Sequence, residues 1–179
     1  MTWAIWITGL PGSGKTAIGE RTKEILCERG INVKMLELDE IRKFITPQPS
    51  YSEEEREIVY GALAYMAKLL VESGINVIID ATGHRRKYRD KARGSIKNFA
   101  EVYIKCSLEV CKEREGKRKA EHSPSGIYKR AMEEGATVPG VNVPYEEPKE
   151  PEIIVNSEEM SIEESAERIV AFITKHFLG

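Results

Sequence analysis

Cysteine is scarce in this 179-residue chain, at three residues: Cys27, Cys106 and Cys111. An odd number without dense spacing reads as free thiols in a reducing compartment, so the expected localisation is cytoplasmic. Cys106 and Cys111 have no further Cys or His at ligand spacing, which argues against a zinc site. Long apolar runs are missing too. None approaches the roughly 20 residues of a membrane-spanning helix, so no membrane partner is expected. Met1-Thr2-Trp3 lacks a basic segment and leads straight into a strand pattern, so no signal peptide is expected. Neither sign of charge dominates: 27 Lys and Arg stand against 29 Asp and Glu, for a net charge of -2. That balance excludes a protein whose main task is coating nucleic acid or anionic membrane, while leaving room for a local basic patch. Glutamine occurs once, at Gln48, while Glu and Lys abound, the bias of heat-adapted proteins.

What is present is alternation. Hydrophobic residues at 41% and charged residues at 31% are the composition of a folded chain, and the length suits a single domain over 1–179. Strand-like apolar runs at Trp3 to Thr8, Val33 to Leu38, Ile75 to Ile79, Val102 to Lys105 and Ile153 to Val155 alternate with helical patterns. Lys15 to Arg29 is helical, with Gly30 at the place of a C-terminal cap. Ser52 with Glu55 opens a long helix whose apolar positions are Ile58, Val59, Ala62, Leu63, Met66, Leu69 and Leu70. A basic helix runs from about Arg85 to Lys97. A charged helical stretch from Leu108 to Glu134 breaks around Ser123-Pro124-Ser125-Gly126, and Ser161 with Glu164 caps a last amphipathic helix. Buried strands alternating with helices predict an α/β fold: a five-stranded parallel sheet flanked by helices. Ligands of such sheets bind at the carboxyl ends of the strands.

The first strand ends in Gly9-Leu10-Pro11-Gly12-Ser13-Gly14-Lys15-Thr16, which fits G-x-x-x-x-G-K-[ST] between a strand and a helix. Glycines there let backbone N–H groups converge on phosphate, and the helix N-terminus adds its positive end. Lys15 is expected to reach the β- and γ-phosphates of ATP, and the Thr16 hydroxyl to ligate Mg²⁺. No Asn-Lys-x-Asp motif accompanies it, against a GTPase, and the chain is small for a motor. A P-loop ATP-dependent kinase with a helical lid at about 110–140 is the expectation.

The other strand ends carry the remaining candidates. Asp39, after the second strand, is placed to accept the proton of an attacking hydroxyl, with capping of a short helix as the alternative. Arg42, three residues on, is suited to gripping an anionic substrate. Asp80, after the third strand, holds the position of a magnesium-side acid; the alternative is again a cap. The stripe Arg86, Arg89, Arg93 and Lys97 reads as a solvated face or as an anion contact, with nucleic acid disfavoured for want of exposed aromatics. Arg114, Lys117, Arg118 and Lys119 stand where a lid cation is needed, and Arg114 is the favoured one.

Together these residues resemble the adenylylsulfate kinase family, which phosphorylates the ribose 3′-hydroxyl of adenosine 5′-phosphosulfate. The likeness lies in Trp6 to Thr16, in Leu108 to Arg114, in Gly126-Ile127-Tyr128-Lys129-Arg130-Ala131, and in Pro144-Tyr145-Glu146-Glu147-Pro148 before Pro151-Glu152. The resemblance implies a magnesium-ATP kinase, commonly a homodimer, with Lys129 contacting the acceptor. It matches Tyr51 and Arg56 to the aromatic and arginine of the family's acceptor helix, and Thr82 to its active-site serine. It also exposes departures. The family's Asp-Gly-Asp is Glu37-Leu38-Asp39 here. Its Asn-Phe-Thr-Gly, whose phenylalanine stacks on the acceptor adenine, is Thr137-Val138-Pro139-Gly140. Two alternatives stand beside this reading: a kinase of the same fold for another small-molecule or polynucleotide hydroxyl, and a non-catalytic nucleotide-binding domain, against which Lys15, Thr16 and Asp39 weigh.

Overall fold

The computed structural model describes residues 1–117 and 126–179. Five parallel strands make one sheet: β1 (Ala4–Thr8), β2 (Val33–Glu37), β3 (Asn76–Asp80), β4 (Phe99–Lys105) and β5 (Ile153–Asn156), in the order β2-β3-β1-β4-β5. The helices are α1 (Lys15–Glu28), α2 (Leu38–Ile45), α3 (Glu53–Glu72), α4 (Arg86–Ser95), α5 (Leu108–Lys117), α6 (Ile127–Arg130) and α7 (Ile162–Ile173), the last running into a π-helical turn, Thr174–Leu178.

Strand alternation divides the core in two. Ile5 and Ile7 of β1 face a cluster with α1 and α7 residues such as Ile18, Leu26 and Ile169. Ala4 and Trp6 face the other way, onto Val59 and Leu63 of α3 and Tyr88 and Ala92 of α4. Each fully buried large apolar side chain contributes roughly 1.5–3 kcal/mol, so β1, buried along its whole length, anchors both layers. The switch in strand order falls beside β1, which opens the crevice for ligands at its carboxyl end.

Several local expectations are altered. On α3 the buried face is Arg56, Val59, Tyr60, Leu63, Ala64 and Ala67, so the apolar stripe is rotated and Ile58 (71% exposed), Tyr65 and Leu69 look outward. Ser52 does cap α3, accepting from Glu55 N, but the Glu55 carboxylate accepts from Ser50 N and Tyr51 N instead of closing a reciprocal box. At α7 both halves of the box form between Ser161 and Glu164. The basic helix ends at Ser95, short of the expected Lys97, and β4 begins at Phe99, ahead of the expected Val102. Two members of the basic stripe, Arg89 and Arg93, are held in ion pairs, while Lys97 is exposed beyond the end of α4. Arg89 is 1% exposed and pairs with Glu101, while Arg93 pairs with Glu152 at 2.6 Å. Acids on β4 and in the C-terminal segment take up the charge that sequence alone leaves unpartnered. Arg118, Lys119 and the break at 123–125 lie outside the described residues.

Candidate active site

The P-loop closes over the carboxyl end of β1. Gly12 has φ +81°, and a Cβ there would collide with the carbonyl oxygen of Cys111, so the position needs glycine twice over. Lys15 is buried, and its ammonium donates to Gly9 O at 3.1 Å and Leu10 O at 3.0 Å. The Thr16 hydroxyl donates to Asp80 Oδ2 at 2.5 Å. Asp80 ends β3 and does not cap α4, whose N-cap is Arg85. A hydroxyl and a carboxylate side by side at a phosphate loop fit Mg²⁺, which takes one or two protein oxygens and completes its shell with phosphate and water.

A cavity of about 250 Å³ runs from this loop across the sheet edge. Pro11, Lys15, Thr16 and Asp80 line one part. Leu38, Asp39 and Arg42 of α2 line another, with Tyr51, Arg56 and Tyr60 at and within the start of α3. Thr82 and His84 come from the turn after β3, and Arg130 and Val138 from the segment after α5. Asp39 sits in the first turn of α2, whose N-cap is Glu37, so capping is not its role. Leu38, where the family has glycine, is buried in the core beneath the site.

The acceptor side is tightly braced. Arg42 and Glu55 pair at 3.2 Å, with the Arg42 guanidinium 5.0 Å from the centre of the Tyr51 ring. Burial opposes charge on Glu55, but the N–H groups of Ser50 and Tyr51 and the Arg42 cation outweigh it and hold the carboxyl below its usual range. Tyr51 has φ +55°, a strained conformation for a non-glycine residue, maintained by its N–H on Glu55 at 2.8 Å. Arg56 is buried and donates to Thr137 O at 2.7 Å. Burial lowers its pKa, so an incoming anion would be favoured beside it.

Two expected residues stand elsewhere. Arg114 does not line the cavity. Its guanidinium donates to Ser157 Oγ at 2.9 Å, Ser157 O at 2.7 Å and Ser13 O at 3.3 Å, bracing the outer side of the P-loop. Its Nη1 and Nη2 are both engaged there by oxygens of Ser13 and Ser157. Lys129 is exposed, and Ile127 and Arg130, its neighbours on α6, face the cavity instead. Tyr128 ties α6 to the P-loop through Pro11 O at 2.5 Å. His84 and Tyr60 were not singled out by sequence. The signal for His84 was available, since it follows the same strand end as Asp80 and Thr82.

The adenylylsulphate kinase family profile matches residues 1–156. The adenylyl-sulfate kinase of Rippkaea orientalis is 36% identical over 166 residues, covering 92% of this chain and 87% of that protein. The probable adenylyl-sulfate kinase of Pyrococcus abyssi is 36% identical over 169 residues, covering 94% and 92%. Among solved structures, the Mycobacterium tuberculosis APS kinase CysC in complex with AMPPNP and APS superposes with a TM-score of 0.84 at 28% identity, covering 96% of this chain and 97% of that one. A phosphate loop joined to a cationic cavity is common to many kinases; the extent of these matches narrows the field, and the chain belongs to the adenylylsulfate kinase family.

Proposed function

We propose that the chain transfers the γ-phosphoryl group of ATP to the 3′-hydroxyl of adenosine 5′-phosphosulfate. The observation that carries this is one continuous cavity lined at one part by Lys15, Thr16 and Asp80 and at another by Arg42, Tyr51 and Arg56, with Asp39 also on its wall. The family of the chain and the names of its relatives supply the acceptor.

In this reading the loop from Gly9 to Thr16 cradles the β- and γ-phosphates with its backbone N–H groups, and Lys15 leaves the Gly9 and Leu10 carbonyls for phosphate oxygens. Thr16 and Asp80 would hold magnesium, which when bound offsets charge on the phosphates. Arg42 and Arg56 grip the anionic phosphosulfate, Tyr51 carries the adenine, and Thr82 lines the path between. Asp39 takes the proton of the 3′-hydroxyl as its oxygen attacks the γ-phosphorus, and the bond from that phosphorus to the ADP oxygen breaks. Arg130 supplies the cation expected of Lys129, and Arg114 acts by holding the loop. The residues work as a single P-loop kinase domain, with the segment at about 110–140 closing over the nucleotide.

Two copies associate in this reading, and the outward Ile58, Tyr65 and Leu69 of α3 support it, since they fall on one side of the helix. Among the described residues no helix is long and apolar enough to cross a membrane. The test is a coupled assay of ADP release with adenosine 5′-phosphosulfate, run beside Lys15→Ala. Acceptor-dependent ADP release that the substitution removes supports the proposal, and release indifferent to the acceptor refutes it.

A further inference from the structure

Ser52 and Glu55 carry the sequence signature of a reciprocal helix cap, yet only the Ser52 half of it forms. The Glu55 carboxylate reaches further back along the chain. Its Oε1 accepts from Ser50 N and its Oε2 from Tyr51 N, both at 2.8 Å. The same Oε2 accepts from Arg42 Nη1 at 3.2 Å. One carboxylate therefore ties the last turn of α2 to the chain that enters α3.

The residues it holds stand on the cavity wall, while Glu55 itself does not line the cavity. With the Arg42 guanidinium over the Tyr51 ring, Glu55, Arg42 and Tyr51 form a closed triangle of contacts. Tyr51 is, among the described residues, the one non-glycine residue with a positive φ. Such a conformation persists only where its surroundings over-determine it, and it clusters at binding sites. Three contacts do so here: the Tyr51 N–H on Glu55, the ring beneath Arg42, and the Tyr51 carbonyl accepting from Thr137 Oγ1 at 3.4 Å. The arrangement gives up half of a helix cap and strains a tyrosine. Starting a helix requires neither; holding two wall residues in one geometry accounts for both.

We propose that Glu55 is a positioning residue for the acceptor: from behind the cavity wall it sets Tyr51 and Arg42 in place before the acceptor arrives. The ring that carries the adenine and the cation that grips the anionic end are then fixed relative to each other. This rests on the acceptor reading given above. Glu55 acts only through these two residues. It spares the acceptor the ordering of two side chains, and a site ordered in advance binds more tightly for that reason. Its loss falls on the acceptor and leaves the nucleotide side, built from the P-loop, as it was.

Glu55→Gln keeps the shape, removes the charge, and turns an amide NH₂ toward groups that are all donors. It is expected to raise the KM for adenosine 5′-phosphosulfate about 10-fold or more, with the ATP KM within about two-fold. Glu55→Asp keeps the charge one methylene back, and its acceptor KM is expected within about three-fold of the wild type. Ser52→Ala removes the hydroxyl that caps α3 and leaves the Glu55 carboxylate in place. It is expected to lower Tm with the acceptor KM within about two-fold. An unchanged acceptor KM in Glu55→Gln, an ATP KM that rises equally, a Glu55→Asp as poor as Glu55→Gln, or the same acceptor loss in Ser52→Ala overturns the inference. Hydrogen exchange in the wild type needs no variant to fold. Without acceptor, the Ser50 and Tyr51 amides should exchange about 100-fold or more slower than in an unstructured chain. Exchange at the unstructured rate, slowed only when adenosine 5′-phosphosulfate is added, overturns the inference and leaves the acceptor reading standing. A wild type that neither binds nor phosphorylates adenosine 5′-phosphosulfate overturns the acceptor reading, and the inference with it.

Discussion

Replacing Arg89 by methionine should unfold the protein at a markedly lower temperature. The guanidinium is 1% exposed and has three partners: Nε on Glu101, Nη1 on Gly83 O, and Nη2 on Glu146 O at 2.7 Å. Methionine fills much of the same space but leaves Glu101 ionised and buried, and such one-sided removal costs about 3–5 kcal/mol. Arg93 stays 3.6 Å from the other Glu101 oxygen, which places the loss at the low end, about 3 kcal/mol. For a chain of this length each kcal/mol moves the midpoint by about 2–4 °C, so Tm should fall by roughly 6–12 °C. Circular dichroism on heating reads this directly. Arg89→Met with Glu101→Leu removes the stranded charge and should recover about half of the loss, because the carbonyls of Gly83 and Glu146 still lack their donor. A fall below about 2 °C, or a double variant no better than the single one, would refute the reasoning that this pair is a buried strut.

Lys15→Ala should leave less than about a tenth of wild-type turnover in a steady-state assay, because the cation offsets phosphate charge in the transition state. Asp39→Asn should lower kcat about 100-fold or more with ATP affinity held within a few-fold, measured by kinetics and nucleotide titration. Val138→Phe restores the ring that would face Tyr51 across the adenine; stacking worth on the order of 1–3 kcal/mol should lower the acceptor KM several-fold, read from initial rates. Urea unfolding should show acid destabilisation from His84. The unfolded imidazole protonates near its ordinary 6.5 and the native one only near 4, so the unfolded state binds more protons in between and stability falls as pH falls. Between pH 7 and 5 that amounts to about 2 kcal/mol, and His84→Phe should remove it from the pH profile.

The sheet and the phosphate loop were legible in sequence because both are written locally. A strand buried on both faces reads as an apolar run, as Ile75 to Ile79 does, and the P-loop needs particular residues at fixed spacing. The placement of Thr16 beside Asp80 followed from one rule, that the chemistry gathers at the carboxyl ends of strands. What failed was long-range. The charge on α4 looked like surface because nothing local reveals Glu101 and Glu152 opposite it. Arg114 looked like a lid cation because sequence order gives no direction to a long side chain, and Ser157, 43 residues away, takes it. The face of α3 was rotated because Ile58 is apolar yet outward, while Arg56 is charged yet inward, serving the cavity.

Transfer of labelled γ-phosphate from ATP to a panel of acceptors tests the central claim most directly. The panel holds adenosine 5′-phosphosulfate, adenosine 5′-phosphate, small-molecule alcohols and an oligonucleotide with a free 5′-hydroxyl. The account predicts that label appears on adenosine 5′-phosphosulfate with the highest kcat/KM of the set, as the 3′-phosphorylated product. Label on the oligonucleotide or on a small alcohol at higher kcat/KM, with none on adenosine 5′-phosphosulfate, would contradict it.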